Sequence, residues 1–185
     1  MLVKIDTVEI DSLRIKNTCT VYSLWKRLND CLRTLSTRGA NIPSEISENI
    51  ACYCLGYKLN KGSGGDALTD DGQVVEIKCC SVDGSNDLTS FSPKENFDKL
   101  IFCKLDKEKD CMYVWDTGIN SEQLKLLPAN KKETVGDQQR QKRRPHISIF
   151  NTVIIPKKLN PICKFDIINQ KVIKPVRETL EEIAC

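Results

Sequence analysis

The sequence predicts a single α/β domain over residues 1–185, in which a mixed central β-sheet is flanked by helices. Three observations predict this class. The chain has 185 residues, enough for one domain with a buried core. Apolar residues recur at helical spacing in residues 18–35 and again in residues 44–56. A strand-rich middle with one interspersed helix follows, which is the element order of an α/β domain.

The composition is typical of a soluble globular protein, with 40% hydrophobic and 29% charged residues. No apolar run reaches the roughly 18 residues that a transmembrane helix needs. The first residues, MLVKIDTVEIDSL, include acids and lack the long apolar region of a signal peptide. We therefore expect a cytoplasmic protein that contacts no membrane.

The chain contains 10 cysteines, which we expect to be reduced thiols in the cytoplasm. They include no CxxC pair, and the chain has a single histidine, so the sequence does not indicate a structural zinc site. Cys52, Cys54 and Cys103 stand in apolar stretches and are expected to be small buried hydrophobes.

The first third of the chain predicts an edge strand and two helices. The stretch LVKIDTVEID alternates apolar and polar residues, as an edge strand does. Residues 18–35 place apolar residues at helical spacing. Residues 44–56 predict a second helix, with Ser44 as its N-cap and Gly56 as the residue that ends it.

The remainder predicts further strands and two helices. FDKLIFCKLD and CMYVWD indicate two strands joined by the turn KEKD, and SEQLKLLP indicates a short helix. HISIFNTVII and CKFDII indicate strands, and VRETLEEIAC indicates a terminal helix.

Residues 64–81, GGDALTDDGQVVEIKCCS, predict a hairpin that carries three charged side chains. A two-residue turn at Asp71-Gly72 would place Asp66 on the face opposite Glu76. A three-residue turn with Gly72 in the left-handed conformation would instead pair Asp66 with Glu76, about 5 Å apart on one face.

The apolar pattern favours the three-residue turn. With that turn Lys78 lies on the face of Glu76, two residues away. Val75 and Ile77 then point to the opposite face and enter the core.

Two carboxylates this close repel each other, and a divalent cation between them removes the conflict. Mg²⁺ binds one or two carboxylates together with water and phosphate oxygens. A neighbouring lysine can orient a water or stabilise charge that develops on a phosphate. Asp66, Glu76 and Lys78 therefore indicate metal-assisted phosphodiester hydrolysis with Mg²⁺ as cofactor. The spacing alone leaves open an ordinary exposed hairpin with a surface ion pair.

The hairpin GGDALTDDGQVVEIK resembles the motif of PD-(D/E)XK nucleases in residue types and spacing. In that superfamily a helix before the motif often supplies a further acid, and Glu48 stands 8 positions before Gly56. The stretches STRGANIPSEISENIACY, EIKCCSVDGSNDLTSFSP and FDKLIFCKL resemble the family of small type II restriction endonucleases named after the Bacillus enzyme Bsp6I, which cuts within GCNGC. The resemblance covers roughly residues 20–155.

This resemblance implies a PD-(D/E)XK, restriction endonuclease-like core and a Mg²⁺-dependent type II deoxyribonuclease. Such an enzyme cuts double-stranded DNA at a short GC-rich, GCNGC-like site and leaves 5′-phosphate ends. The implied catalytic residues are Lys78, Glu76, Asp66 and Glu48, and the implied metal ligands are Asp66, Glu76 and the Ile77 carbonyl. Glu45, one helical turn from Glu48, competes with it for the role of the additional acid.

Two positions depart from the family's pattern. Gly65 stands where the superfamily motif has proline, a replacement common in the superfamily. His146 stands in RRPHISI, where a further basic residue is expected. The second departure concerns DNA recognition and not the chemistry.

A nuclease that reads duplex DNA must contact phosphates and base edges. Residues 131–146 carry six Lys or Arg against two acids, which indicates either a DNA contact or a solvated charged turn. Arginine binds guanine more often than other bases, so Arg143 and Arg144 are the main candidates for base recognition. The full predicted DNA-binding set is Arg38, Asn41, Ser90, Ser92, Arg140, Lys142, Arg143, Arg144 and His146.

A palindromic duplex site has two scissile bonds, so we expect a C2 homodimer, with apolar residues of the 18–35 helix as a candidate interface. We also expect a cognate DNA methyltransferase in the same system. Two alternatives are a structure-specific resolvase or repair nuclease of the same superfamily, and a DNA-binding module without cleavage activity.

Overall fold

The computed structural model describes residues 6–36, 39–81, 87–94 and 96–184. The strands in these ranges are β1 Thr7–Val8, β2 Lys58–Asn60, β3 Ala67–Leu68, β4 Val74–Cys80, β5 Leu88–Ser90, β6 Lys99–Asp106, β7 Cys111–Asp116, β8 His146–Ser148, β9 Cys163–Asp166 and β10 Lys171–Ile173. The helices are α1 Ser12–Leu35, α2 Ser44–Leu55, α3 Ser121–Lys125, α4 Val135–Arg140, α5 Ile155–Lys157 and α6 Leu180–Ala184, and a π-helical segment spans Phe150–Ile154.

Eight strands form one mixed sheet in the order β1-β2-β3-β4-β6-β7-β9-β10. β4 and β6 are parallel, and the other neighbouring pairs described in this sheet are antiparallel. β5 leaves this sheet and pairs with β8 in a separate two-stranded sheet, which we call the ribbon. The predicted α/β class with a mixed sheet and flanking helices is confirmed.

The two faces of the large sheet bury separate apolar clusters. On one face α1 and α2 pack over Ala67, Val75 and Ile77. The other face buries Phe102 and Trp115 against the π-helical segment and the short helices. Because successive side chains of a strand alternate between faces, β4 is enclosed from both sides. The strand that carries Glu76 and Lys78 therefore has a fixed position at the centre of the fold.

The two long helices are present, with one boundary displaced. α1 begins at Ser12, earlier than the predicted start at residue 18, and Asp11 caps it by accepting from the Arg14 N–H at 2.7 Å. Ser44 is the first helical residue of α2 and not its N-cap, a position that Pro43 holds. Gly56, with φ 72°, ends α2 as predicted.

The strand predicted over HISIFNTVII forms only in part. β8 covers its first three residues, and the chain then enters the π-helical segment and α5. The Asn151 N–H donates to Ser148 Oγ at 2.9 Å where the strand ends. Val153 and Ile154 are fully buried. A short apolar run does not distinguish a buried helix from a strand, so the sequence pattern was ambiguous.

The cysteines and the lengths of the helices can be compared with the predictions from composition. The nine described cysteines are free thiols, and Cys185 lies outside the described residues, as do residues 1–5 of the predicted edge strand. Cys52, Cys54 and Cys103 are buried, as expected. None of the described helices is both long and apolar enough to cross a membrane.

Candidate active site

A cleft of about 610 Å³ opens between α2 and the ribbon, above the end of β4. Residues 77–81 of β4 and its extension form the floor of this cleft. One wall comes from residues 41–48, and the other comes from residues 87–90. The charged side chains in its lining are Glu48, Asp66, Lys78 and Asp87.

The hairpin adopts the three-residue turn that the sequence favours. Gly72 has φ 82°, and its N–H donates to the Thr69 carbonyl at 3.0 Å. The Thr69 N–H donates to the Gln73 carbonyl at 3.1 Å. Ala67 pairs with Val75 in the next part of the ladder. The predicted register is therefore confirmed from the turn to Ala67.

The ladder changes at Asp66. Its N–H donates to the Val75 carbonyl at 2.8 Å, and its carboxylate Oδ2 accepts from the Ile77 N–H at 2.7 Å. The described ladder ends at Ala67, so Asp66 contacts the residues on either side of Glu76 instead of pairing with Glu76 itself. This local change holds the Asp66 carboxylate against the backbone of the floor strand, where it lines the cleft.

Gly65 makes this change possible. It has φ 88°, and a Cβ at this position would lie 2.4 Å from Val74 Cγ1 and 3.1 Å from the Val75 carbonyl oxygen. Proline has φ near about −65° and cannot adopt this conformation. The glycine at this position, where the motif that the hairpin resembles has proline, therefore has a steric reason in this chain.

Glu76 and Lys78 form a close ion pair on β4. The Lys78 Nζ donates to Glu76 Oε1 at 2.5 Å. The same ammonium lies 5.2 Å from the centre of the Phe91 ring, a cation–π distance. Glu76 is 6% exposed and lies behind the surface of the cleft, whereas Lys78 lines it. The structure thus brings Asp66, Glu48 and Lys78 to one surface, with Glu76 buried beside the lysine.

The two candidate acids of α2 face different surroundings. Glu48 lines the cleft, whereas Glu45 is exposed and lines a separate depression with Arg14 of α1. Burial raises the pKa of the Glu48 carboxyl, and the negative charge of Asp66 raises it further. A hydrogen bond from Ser44 and the charge of Lys78 act in the opposite direction. The negative charge of Asp66 therefore destabilises the charged form of Glu48 within the cleft.

The donor chemistry of the cleft fits a small hard cation. Within the described residues, no three His, Cys, Asp or Glu side chains form a ready-made metal cluster. The cleft offers the carboxylates of Asp66 and Glu48 and the backbone of Ile77. Mg²⁺ prefers oxygen ligands and usually keeps several waters, so it does not need a closed cage of protein ligands.

The ribbon brings several predicted DNA-binding residues next to the cleft. Ser90, which lines the cleft, pairs with the exposed His146. The Phe91 N–H donates to the Pro145 carbonyl at 3.1 Å. Ser92 accepts from Gln139 Nε2 at 2.9 Å through its carbonyl, which ties α4 to the same edge. The basic stretch is therefore anchored beside the cleft.

Two of the basic side chains of this stretch form ion pairs with acids of the same stretch. Arg140 pairs with Asp137 of α4, and Arg143 pairs with Glu133. Lys142 and Arg144 are also exposed and stand on the surface beside the ribbon, Lys142 with φ 60°. α4 was not predicted, although Thr134 and Asp137 form a capping box that the sequence could have indicated.

On the opposite wall, Asn41 lines the cleft, and its carbonyl accepts from Trp25 Nε1 at 2.9 Å. Arg38 lies outside the described residues. Sequence reasoning missed Asp87, a buried acid in the cleft lining. Its carboxylate accepts from Ser148 Oγ at 2.6 Å and from Asn151 Nδ2 at 3.4 Å. These partners are 61 and 64 residues away, so no local pattern could have indicated them.

A cleft with acids and a lysine beside a basic surface is the arrangement expected of a nuclease, and comparisons with known proteins agree with this class. A family model described as Bsp6I restriction endonuclease matches residues 10–156. The type II restriction enzyme Bsp6I of Bacillus sp. (strain RFL6) is 42% identical over 169 residues, which cover 91% of this chain and 97% of that enzyme. The chain belongs to the Bsp6I restriction endonuclease family, so the resemblance seen in the sequence is confirmed. It is a homologue of a type II restriction endonuclease, a nuclease that hydrolyses DNA.

Proposed function

We propose that this protein is a Mg²⁺-dependent type II deoxyribonuclease that cuts double-stranded DNA at a short GC-rich, GCNGC-like site. It leaves 5′-phosphate and 3′-hydroxyl ends, and the chain forms one domain with a PD-(D/E)XK core. The observation that carries the proposal is the meeting of Asp66, Glu48 and Lys78 in one cleft beside the basic stretch. The GCNGC-like site is supported by the family resemblance alone.

In this proposal Asp66, Glu76 and the Ile77 carbonyl hold the Mg²⁺, and Glu48 is the additional acid. The Glu76 ligand atom is Oε2, because Oε1 accepts from Lys78. When bound, Mg²⁺ polarises a phosphate oxygen and lowers the pKa of a coordinated water. Lys78 donates to the phosphate or the attacking water and stabilises the negative charge that develops. Glu76 lies 2.5 Å from the Lys78 ammonium and orients it toward the cleft.

The DNA lies along the cleft, between α2 and the ribbon. Arg143 and Arg144 read guanine bases, because an arginine side chain matches the two acceptors of a guanine edge. Arg140 and Lys142 contact phosphates. The other residues of the predicted DNA-binding set complete the DNA contacts: Arg38, Asn41, Ser90, Ser92 and His146.

The enzyme acts as a homodimer formed through α1. Val21, Leu24, Leu28 and Leu35 are 45–84% exposed and recur at intervals of three, four and seven residues along one stripe of this helix. Such spacing is that of a helix–helix seam. A second copy of α1 would cover the stripe by two-fold symmetry, and it would supply the second active site that a palindrome requires. A cognate methyltransferase is needed to protect the host's own copies of the site.

The dimer is tested by substituting Leu24 and Leu28 together with lysine. We expect the purified protein to change from dimer to monomer in light scattering coupled to gel filtration. Leu126→Lys is the matched control, because Leu126 is a 77% exposed leucine on α3's C-terminal side. A wild-type protein that is monomeric at micromolar concentration would contradict this part of the proposal.

The central experiment incubates a plasmid of known sequence with the protein in Mg²⁺ or in EDTA. We expect discrete fragments in Mg²⁺ and none in EDTA, and sequencing of the ends gives the target site and the 5′-phosphate. Glu76→Gln should retain DNA binding in a gel-shift assay and lose cleavage, because it keeps the shape of the side chain and removes its charge.

Other outcomes point to other functions. Cleavage of branched DNA only would favour a resolvase or repair nuclease. Gel retardation without cleavage, unchanged in Lys78→Ala, would favour a DNA-binding module. Normal cleavage by Glu76→Gln would exclude the proposed role of that residue.

A further inference from the structure

The segment that delivers Asp66 to the cleft is a glycine-rich loop between β2 and β3. Its sequence KGSGG spans residues 61–65, and Gly64 and Gly65 have φ values of 91° and 88°. Glycine loses more conformational freedom on ordering than other residues do, so such a loop needs outside contacts to hold one shape. The shape matters because Gly65 directly precedes a residue of the candidate metal site.

Asn60, the last residue of β2, supplies these contacts with a buried side chain. The residue is 8% exposed. Its Oδ1 accepts from the Gly62 N–H at 2.9 Å and from the Asp6 N–H at 3.3 Å. Its Nδ2 donates to the Gly65 carbonyl at 3.1 Å and approaches the Gly64 carbonyl at 3.5 Å. The amide group therefore joins the beginning of the loop to its end.

The same residue is also joined to Asp66 through the backbone. The Asn60 N–H donates to the Asp66 carbonyl at 2.8 Å, while the Asp66 carboxylate is held by the Ile77 N–H at 2.7 Å. Asp66 is thus fixed from two sides, by β2 on one and by the floor strand on the other. The Asn60 side chain also orients the peptide bond that leads into Asp66, because it binds the carbonyl of Gly65.

From this geometry we infer that Asn60 is a positioning residue: it orients Asp66 and thereby raises the metal affinity of the cleft. Asn60 itself contacts neither the metal nor the DNA. The inference rests on the proposed nuclease function. Removal of a group that orients a metal ligand typically lowers metal affinity by about 10–100-fold. Loss of the Asn60 amide should therefore weaken metal binding and leave the DNA contacts unchanged.

The test measures Mn²⁺ binding to the protein–DNA complex by electron paramagnetic resonance, together with the Mg²⁺ concentration that gives half-maximal cleavage. Asn60→Ala should raise both the Mn²⁺ dissociation constant and that Mg²⁺ concentration by about tenfold or more. Asn60→Asp, which keeps the acceptor and replaces the donor that faces Gly65, should show the same shift and serves if Asn60→Ala does not fold. DNA affinity in EDTA should stay within about twofold of wild type for both variants.

Asn169→Ala is the control for loss of an asparagine that organises a turn. Asn169 Nδ2 donates to Asp166 Oδ2 at 2.8 Å in the β9–β10 turn, at the opposite edge of the sheet. For Asn169→Ala, the Mn²⁺ dissociation constant and the Mg²⁺ concentration for half-maximal cleavage should equal those of wild type. If the folded Asn60 variants melt earlier but bind Mn²⁺ with wild-type affinity, Asn60 only stabilises the loop and the inference is overturned. If Asp66→Ala also binds Mn²⁺ as wild type does, the proposed metal site itself fails, which is a separate outcome.

Discussion

Two lysine–carboxylate pairs on neighbouring strands differ in what surrounds them. Lys78 and Glu76 of β4 are 2.5 Å apart, and Lys99 of β6 and Asp116 of β7 are 2.9 Å apart. Asp116 raises the pKa of Lys99 through their hydrogen bond, as in an ordinary structural ion pair. The Lys78 pair borders a cleft that also contains Asp66 and Glu48. An ion pair alone does not mark a catalytic site, and it is the further acids in the same cleft that distinguish the Lys78 pair.

The largest difference is expected when each lysine is removed. Lys78→Ala should lower the cleavage rate by at least about a hundredfold, because it removes charge stabilisation at the phosphate. Lys99→Ala should leave the rate within about twofold and change the free energy of unfolding by under about 1 kcal/mol. Single-turnover cleavage and urea denaturation measure the two effects. Equal loss of cleavage in both variants would remove the distinction between the pairs.

Gly65→Ala should disturb the cleft while leaving the Lys99 pair intact. The new Cβ would lie 2.4 Å from Val74 Cγ1 at a residue with φ 88°, so the backbone that orients Asp66 has to move. We expect a loss of about 2–4 kcal/mol in the free energy of unfolding and about a tenfold loss of cleavage. Urea denaturation and single-turnover cleavage measure these two losses.

Gly72→Ala is the matched control for this substitution. Gly72 also has a left-handed φ of 82°, but no atom lies within 4 Å of the position that the new methyl group would occupy. Gly72→Ala should therefore lower the free energy of unfolding by about 1 kcal/mol, through backbone strain alone, and leave the cleavage rate unchanged. A similar loss of cleavage in both glycine variants would show that the overlap near Asp66 is unimportant.

Substitutions in the basic stretch test the proposed DNA recognition separately from the proposed chemistry of the Lys78 pair. Arg144→Ala should weaken binding to the cognate site by about 1–3 kcal/mol and relax specificity at one base pair if it reads a base. If it contacts a phosphate instead, binding to all sequences weakens and the salt dependence falls by about one counterion. Fluorescence anisotropy at several salt concentrations measures both. Lys171→Ala, at the far edge of the sheet, should change neither quantity.

The smallest expected effect concerns stability and pH. The raised pKa of Glu48 means that the folded protein binds a proton to higher pH than the unfolded chain does. Stability from this group is present below its ordinary pKa of about 4.3 and is lost as pH rises through the raised value. Glu48→Gln carries no charge at any pH and so avoids this loss of stability. Its melting temperature in EDTA should exceed that of wild type, with a gap that grows as the pH rises above about 4.3.

Glu122→Gln, on the exposed surface of α3, controls for loss of a glutamate elsewhere. Its melting temperature should not show this growing gap. A Glu48→Gln protein that melts below wild type at every pH would indicate that the carboxylate is stabilised in the fold, contrary to the pKa shift.

The parts of the fold that the sequence predicted are those with local causes. Gly72 fixes the hairpin turn, Gly56 ends α2, and the alternation through Val75 and Ile77 fixes which face of β4 is buried. The ribbon was missed because its hydrogen bonds join Ser90 to a residue 56 positions later. The conversion of the 146–155 run to helix after Ser148 was missed for a different reason, since buried helix and buried strand are equally apolar.

In the candidate site, too, the sequence predicted the features that have local causes and missed those that depend on distant contacts. Asp66, Lys78 and Glu48 share a cleft, as their spacing and the family resemblance indicated. The choice of Glu48 over Glu45 needed the packing of α2 against the sheet, because both residues lie within one turn of the same helix. The burial of Glu76 and the presence of Asp87 also depend on contacts between distant segments. Local spacing therefore predicts which groups meet in the cleft better than it predicts how each one is solvated.

The ribbon has a consequence for how this protein can change over evolution or in the laboratory. Its ladder joins β5 only to β8, and the eight-stranded sheet has its own hydrogen bonds. Exposed residues such as Leu88 and His146 can therefore be exchanged without altering a ladder bond of the strand that carries Lys78. A library randomised at these exposed ribbon positions would vary the surface beside the cleft while leaving the backbone ladder of β4 unchanged.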